Sequence, residues 1–163
     1  MQAQPRLSKF FRTKRFYLVV VGLSALILIP TLVYYSMGYN SVKGTVSWIV
    51  DVRRVAGYPS VVYYVTIGVG SWSSSVDVQV TDPKFGLVIN SFPVGTVSDL
   101  SQTVKPYGQI QYNLAFQTTE DTEYYIGYSS PHSVSLTMAA TMNGGWYQQQ
   151  FSQTDSGTWT FST

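Results

Sequence analysis

The chain has no cysteine. That excludes a disulfide framework, a thiolate nucleophile, an iron–sulfur cluster and a cysteine-ligated zinc site. Histidine occurs once, at His132, and only 11 % of the residues carry charge. Soluble proteins carry roughly 25 %. Ser, Thr, Gln, Asn and Tyr supply the polarity instead, and such a surface barely titrates. Carboxylates lose their charge near pH 4, whereas hydroxyls and amides do not. No Asn-x-Ser/Thr sequon is present, because Asn40, Asn90, Asn113 and Asn143 all lack the hydroxyl two residues on. N-glycosylation is therefore not expected.

What charge there is lies unevenly. The net +2 comes from the first fifteen residues, where Arg6, Lys9, Arg12, Lys14 and Arg15 stand with no acid. The remainder sets Lys43, Arg53, Arg54, Lys84 and Lys105 against all eight acids, a net of −3. The basic excess belongs to the tail and does not argue for nucleic-acid binding. The composition as a whole resembles that of surface proteins of acid-loving archaea.

Directly after the tail comes FYLVVVGLSALILIPTLVYY, twenty residues without charge from Phe16 to Tyr35. About 20 apolar residues span the hydrocarbon core of a bilayer. Phe16 and Tyr17 at one end, and Tyr34 and Tyr35 at the other, have the placing of interfacial aromatic belts. Pro30 is expected to kink the last turns or to mark where the helix leaves the hydrocarbon. The expected organisation is a basic cytoplasmic tail over 1–15, a transmembrane helix over 16–37 and an extracytoplasmic domain over 38–163. The basic residues before the span place the N-terminus in the cytoplasm. The competing reading is a signal peptide cleaved at Ser36-Met37-Gly38, but the apolar run exceeds the 7–15 residues usual there. No GxxxG pair marks a helix-dimerisation face.

From residue 42 on the pattern is alternation, the mark of half-buried strands. Val61, Tyr63, Val65 and Ile67 share one face. So do Val76, Val78 and Val80, then Ile110, Tyr112, Leu114 and Phe116, then Val134, Leu136, Met138, Ala140 and Met142. Turn signals fall at Asp82-Pro83-Lys84-Phe85-Gly86, at Pro106-Tyr107-Gly108 and at Asp155-Ser156-Gly157, with Asn143-Gly144 the strongest hairpin signal. No amphipathic helix is expected in this region beyond a short turn between Gly95 and Thr103. Eight or nine short strands in about 125 residues predict an all-β fold, an immunoglobulin-like antiparallel β-sandwich, with a small β-barrel as the alternative. The Cys…Trp…Cys pattern of true immunoglobulin domains is absent.

No constellation of catalytic residues emerges. His132 sits in Ser130-Pro131-His132-Ser133 and is expected in a solvated loop. Glu120, Asp121 and Glu123 form the only acid cluster, and they lack the spacing of a calcium loop. They read as a solvated turn and remain the only metal candidates. Asp51, Arg53 and Arg54 read as a surface charge group near the membrane. Neither a cofactor nor a small-molecule substrate is implied.

Thirteen tyrosines and four tryptophans are the remaining resource. Adjacent residues of a strand point to opposite faces, so one member of Tyr63-Tyr64 is expected outward. Tyr64, Tyr147 and Trp72 are the interaction candidates, with Gln149 on an uncharged strand suited to edge pairing. The expected partners are membrane lipid and other membrane or cell-envelope proteins, with self-association as a further option. The expected function is that of a non-catalytic interaction or structural subunit. The alternatives are an accessory subunit of a membrane-bound oxidoreductase and a secreted filament subunit released by cleavage near Gly38.

Overall fold

The structure, a computed structural model, describes residues 14–57, 60–73, 75–127 and 130–161. It begins with one long helix, α1 (Lys14–Lys43). From Phe16 onward α1 is long and apolar enough to cross a membrane, and its most apolar stretch is entirely unburied. Pro30 lies inside it without ending it. The proline removes one hydrogen bond from the helical ladder, and the Thr31 hydroxyl donates to the Ile27 carbonyl one turn back. The helix stops at Gly44, whose N–H still reaches the Asn40 carbonyl at 2.9 Å. The β-branched residues that follow favour strand. α1 thus runs six residues past the expected boundary at 37.

The rest is a β-sandwich of two antiparallel sheets. The strands are β1 (Thr45–Ala56), β2 (Val61–Ser71), β3 (Val78–Ile89), β4 (Phe92–Ser98), β5 (Gln102–Val104), β6 (Gln109–Gln117), β7 (His132–Gly144) and β8 (Tyr147–Trp159). One sheet has the order β1-β2-β6 and the other β4-β3-β7-β8, with β5 also on β3. β4 therefore sits beside β3 rather than on the sheet of β1 and β2. The alternating faces close on each other as the pattern predicts. Tyr63, Ile67, Phe85, Leu87, Tyr112, Phe116 and Met138 are all buried in one core.

Four local expectations need correction. Asp155-Ser156-Gly157 is no turn and lies inside β8, paired with Leu136, Ser135 and Val134 of β7. Asp82-Pro83 is no turn but a bulge within β3, where the register with β7 shifts between Thr81 and Lys84 and Asp82 takes φ 49°. Proline has no N–H to give a ladder, so a bulge tolerates it. The outer edge breaks there too, with β5 pairing before the bulge and β4 after it. The β7–β8 turn is Gly145-Trp146, while Asn143 and Gly144 pair with Gln148 and Tyr147. Gly145 carries the positive φ of 57°. The tight turn with two positive-φ residues is instead Asn90-Ser91, between β3 and β4. Finally, residues Gly95 to Thr103 hold no helical turn, whereas Glu120–Ile126 form a short helix, α2. The Thr119 hydroxyl caps α2 by accepting from Thr122 N–H, and three acids in its first turn suit the positive helix end.

Candidate functional site

Two places carry more than packing. The first is the seam between α1 and the β7–β8 hairpin. Small residues let the backbones meet: a Cβ on Gly38 would overlap the Gly144 carbonyl, and one on Gly144 would press on Gly38 and Val42. Aromatics flank that contact. Tyr34 meets Trp146 edge-on at 5.0 Å between ring centroids, and Tyr147 fits between Tyr35 and Tyr39 at 5.5 and 5.1 Å. Further up, Ser41 is fully buried and its hydroxyl accepts the Val76 N–H. The last turns of the helix are therefore part of the sandwich, with no linker between them.

The second place lies at the opposite end of the strands. Arg54 at the end of β1 pairs with Glu123 of α2 at 3.1 Å, and both side chains are mostly buried. The Thr118 hydroxyl donates to the other Glu123 oxygen. Next to this pair His132 stacks on Phe161 at 4.9 Å, and its Nδ1 takes a 2.9 Å hydrogen bond from the Asn90 side chain. Asn90 also donates to the Ile126 carbonyl and accepts from Ser133 N–H. His132 is therefore buried, against the expectation of a solvated loop. It begins a strand opposite Trp159, and the ring completes the end of the core.

Burial, followed by the nearby Arg54 charge, pushes the His132 pKa below its usual value, with Glu123 opposing. A depressed histidine pKa means the unfolded chain binds the proton first. Stability is then full above the unfolded value near 6.5 and falls as pH drops toward the folded value. The loss is about 1.4 kcal/mol for each unit of separation. Urea unfolding at pH 7.5 and pH 5 should show a pH slope in the native protein that His132→Gln flattens. Identical slopes in the two proteins would place the histidine in water.

The other candidates scatter. Glu120 and Asp121 are exposed on the first turn of α2, while Glu123 turns inward to Arg54. Among the described residues no group of three His, Asp or Glu side chains is placed to hold a metal ion. Asp51 and Arg53 form a surface pair, but Arg54 belongs to the buried cluster, at the end of β1 far from α1. Tyr64 is outward and half exposed, in a groove of about 490 Å³ with Arg53, Val55 and Asn113. Trp72 is outward too, at 75 % exposure, and shares an apolar cavity of about 250 Å³ with Trp48 and Tyr107. Tyr147 is not outward, because it docks the chain's own helix. Gln149 lies on the half-buried face of β8 and accepts a hydrogen bond from the Tyr147 hydroxyl. The strand expected to pair at its edge also sends side chains across to the other sheet. The Gln153 side chain bonds both the N–H and the carbonyl of Ser47 at 3.0 Å, and Asp155 accepts from Ile49 N–H at 2.8 Å. Side chains of β8 thus occupy the open edge of β1. Arg6, Lys9 and Arg12 lie outside the described residues, and Lys14 and Arg15 begin α1.

No protein-family model matches the chain, and no curated protein matches it. Among solved structures, it is similar to a protein of Arabidopsis thaliana determined in solution. The TM-score is 0.52 at 12 % identity, over 72 % of this chain and 82 % of that one. It is also similar to a protein from Archaeoglobus fulgidus, with a TM-score of 0.45 and 11 % identity over 71 % of this chain and 98 % of the other. At such identity the plant likeness shows the fold alone.

Proposed function

We propose that the chain is a single-pass, membrane-anchored β-sandwich displayed outside the cell, serving as an interaction or structural subunit of a membrane or cell-envelope assembly. The observation that carries this reading is α1 itself, an unburied apolar helix joined to the sandwich without a linker. A helix whose apolar surface has no partner in its own fold needs lipid or another protein around it. The joint also speaks against the filament alternative. Cleavage near Gly38 would remove Tyr34 and Tyr35 and cut the seam at its tightest point.

The basic residues before the span orient the tail to the cytoplasm. Exposed aromatics outside the hairpin contact supply docking capacity: Trp72 with Tyr107 near the end of α1, and Phe92 stacked on Tyr125 beside Tyr124 at the opposite end of the sandwich. Tyrosine and tryptophan are enriched at protein interfaces. Protease added to intact cells should digest the sandwich and spare the tail, and a reporter fused to the C-terminus should read as external. A cytoplasmic reporter would overturn the orientation. Extraction in mild detergent should bring partner proteins with the chain, and a monomer alone in the extract would count against a subunit role.

A further inference from the structure

The seam fixes where the sandwich stands relative to the span. From Phe16 to Tyr35 α1 has twenty residues, which at 1.5 Å each measure about 30 Å, the thickness of the hydrocarbon core. A span entering at Phe16 therefore leaves the hydrocarbon at Tyr34 and Tyr35. The tip of the β7–β8 hairpin is at that level. Trp146 packs edge-on against Tyr34, and a Cβ on Gly145 would meet the Tyr34 ring. The strands leave the tip along the helix away from the span, since Gly144 meets Gly38 and Val42, and Tyr147 reaches Tyr39. The hairpin thus points back at the bilayer. Its tip is suited to that place. Trp146 is 64 % exposed although large and apolar. No charged residue occurs from His132 to Thr154, so nothing there resists the headgroup region beyond the histidine at its far end. Of the ions around the tip, Asp77 beside Gly145 is paired with Lys105, and Lys43 lies over the Tyr39 ring, about two helical turns beyond Tyr35.

We propose that the Gly145-Trp146 tip is a second membrane contact, with the Trp146 indole seated among the lipid headgroups beside Tyr34. This rests on the anchored reading and adds a fixed orientation to it. Trp has a flat amphipathic ring that favours the bilayer interface. One helix alone leaves a domain free to tilt, whereas a helix and a hairpin tip define a side that faces the membrane. The Trp72 and Tyr107 cavity is then held clear of lipid, because Trp72 N–H bonds the Gly44 carbonyl. Gly44 stands nine residues beyond Tyr35, about 14 Å higher along the helix.

The full chain reconstituted in phosphatidylcholine vesicles tests this. Lipids brominated in the upper acyl chain should quench the tryptophan fluorescence of the native protein. In Trp146→Phe, which keeps a ring against Tyr34, that quenching should fall by at least half. Equal quenching in both proteins would overturn the hairpin contact. The anchored reading has its own readout in the same vesicles. The chain lacks cysteine, so Val20→Cys offers one thiol, which should be protected from a water-soluble maleimide until detergent is added. A thiol that reacts at once would overturn the span and, with it, the level assigned to Trp146.

Discussion

Glu123→Ala is expected to cost the sandwich about 3 kcal/mol, read as a lower urea midpoint with an unchanged slope. Among the described residues the carboxylate is the sole acidic partner of Arg54 within bonding distance, and the two side chains are 11 % and 16 % exposed. Truncation leaves a guanidinium in a place with little water. It also leaves Thr118 Oγ1 without its carboxylate acceptor, although that hydroxyl keeps its bond to the Val61 carbonyl. Removing one partner of a fully buried pair costs about 3–5 kcal/mol. The residual exposure here favours the lower end. The Tyr63 hydroxyl is enclosed beside Arg54 and Glu123, but it offers no replacement anion at ordinary pH. Burial, then its hydrogen-bonding contact with Glu123 and the charge of that carboxylate, pushes its pKa upward. The pair itself need not be worth much. Replacing both members by apolar residues, Arg54→Met with Glu123→Leu, should recover most of the loss, because a buried pair exchanged for packed carbon is often neutral. A single variant as stable as the native protein would mean that Arg54 reaches water unaided. A double variant as damaged as the single one would mean that the carboxylate matters for α2 rather than for the arginine.

Strands were legible in the sequence because burial imposes a period of two. The Tyr63, Tyr112 and Met138 faces were each set by neighbours two residues away, and the sandwich buries all three. Turn positions were less legible. Asn143-Gly144-Gly145-Trp146 offers two adjacent places for a tight turn, and both keep Met142 on the inner face. A displacement that preserves parity preserves burial. The later turn is the one that brings Gly144 onto Gly38, more than a hundred residues earlier in the chain, a contact invisible to the local sequence. α2 escaped notice because seven residues are too few to show a helical period. Its signals are the capping Thr119 and the acids after it, a pattern that a solvated turn shares. The buried polar cluster was not legible at all. Arg54, Asn90, Glu123 and His132 come from four separate segments, and nothing local distinguishes them from surface residues. The same holds for Gln153 and Asp155, whose role is to finish the edge of a strand more than a hundred residues earlier.

Gly38→Ala sets two effects against each other. Within a helix, alanine is favoured over glycine by about 1 kcal/mol. At Gly38 that gain is opposed by packing, because the added methyl overlaps the Gly144 carbonyl, which belongs to backbone and cannot rotate away. Relief requires the helix to slide off the hairpin, and with it go the contacts of Tyr34 to Trp146 and of Tyr35 and Tyr39 to Tyr147. Overpacking typically costs about 1–3 kcal/mol, and a rigid obstacle places this site at the upper end, so the net loss should be about 2 kcal/mol. Gly22→Ala is the matched control. It lies in the same helix with nothing near a new Cβ, so only the propensity gain applies. Thermal melts of the full chain in detergent should therefore move in opposite directions, down for Gly38→Ala and level or slightly up for Gly22→Ala. Limited proteolysis should also begin to cut between Tyr39 and Thr45 in the first variant alone, since a displaced helix exposes the turn that Ser41 and Val42 now bury. Equal melting and equal protection in the two variants would mean that the helix stands clear of the sandwich.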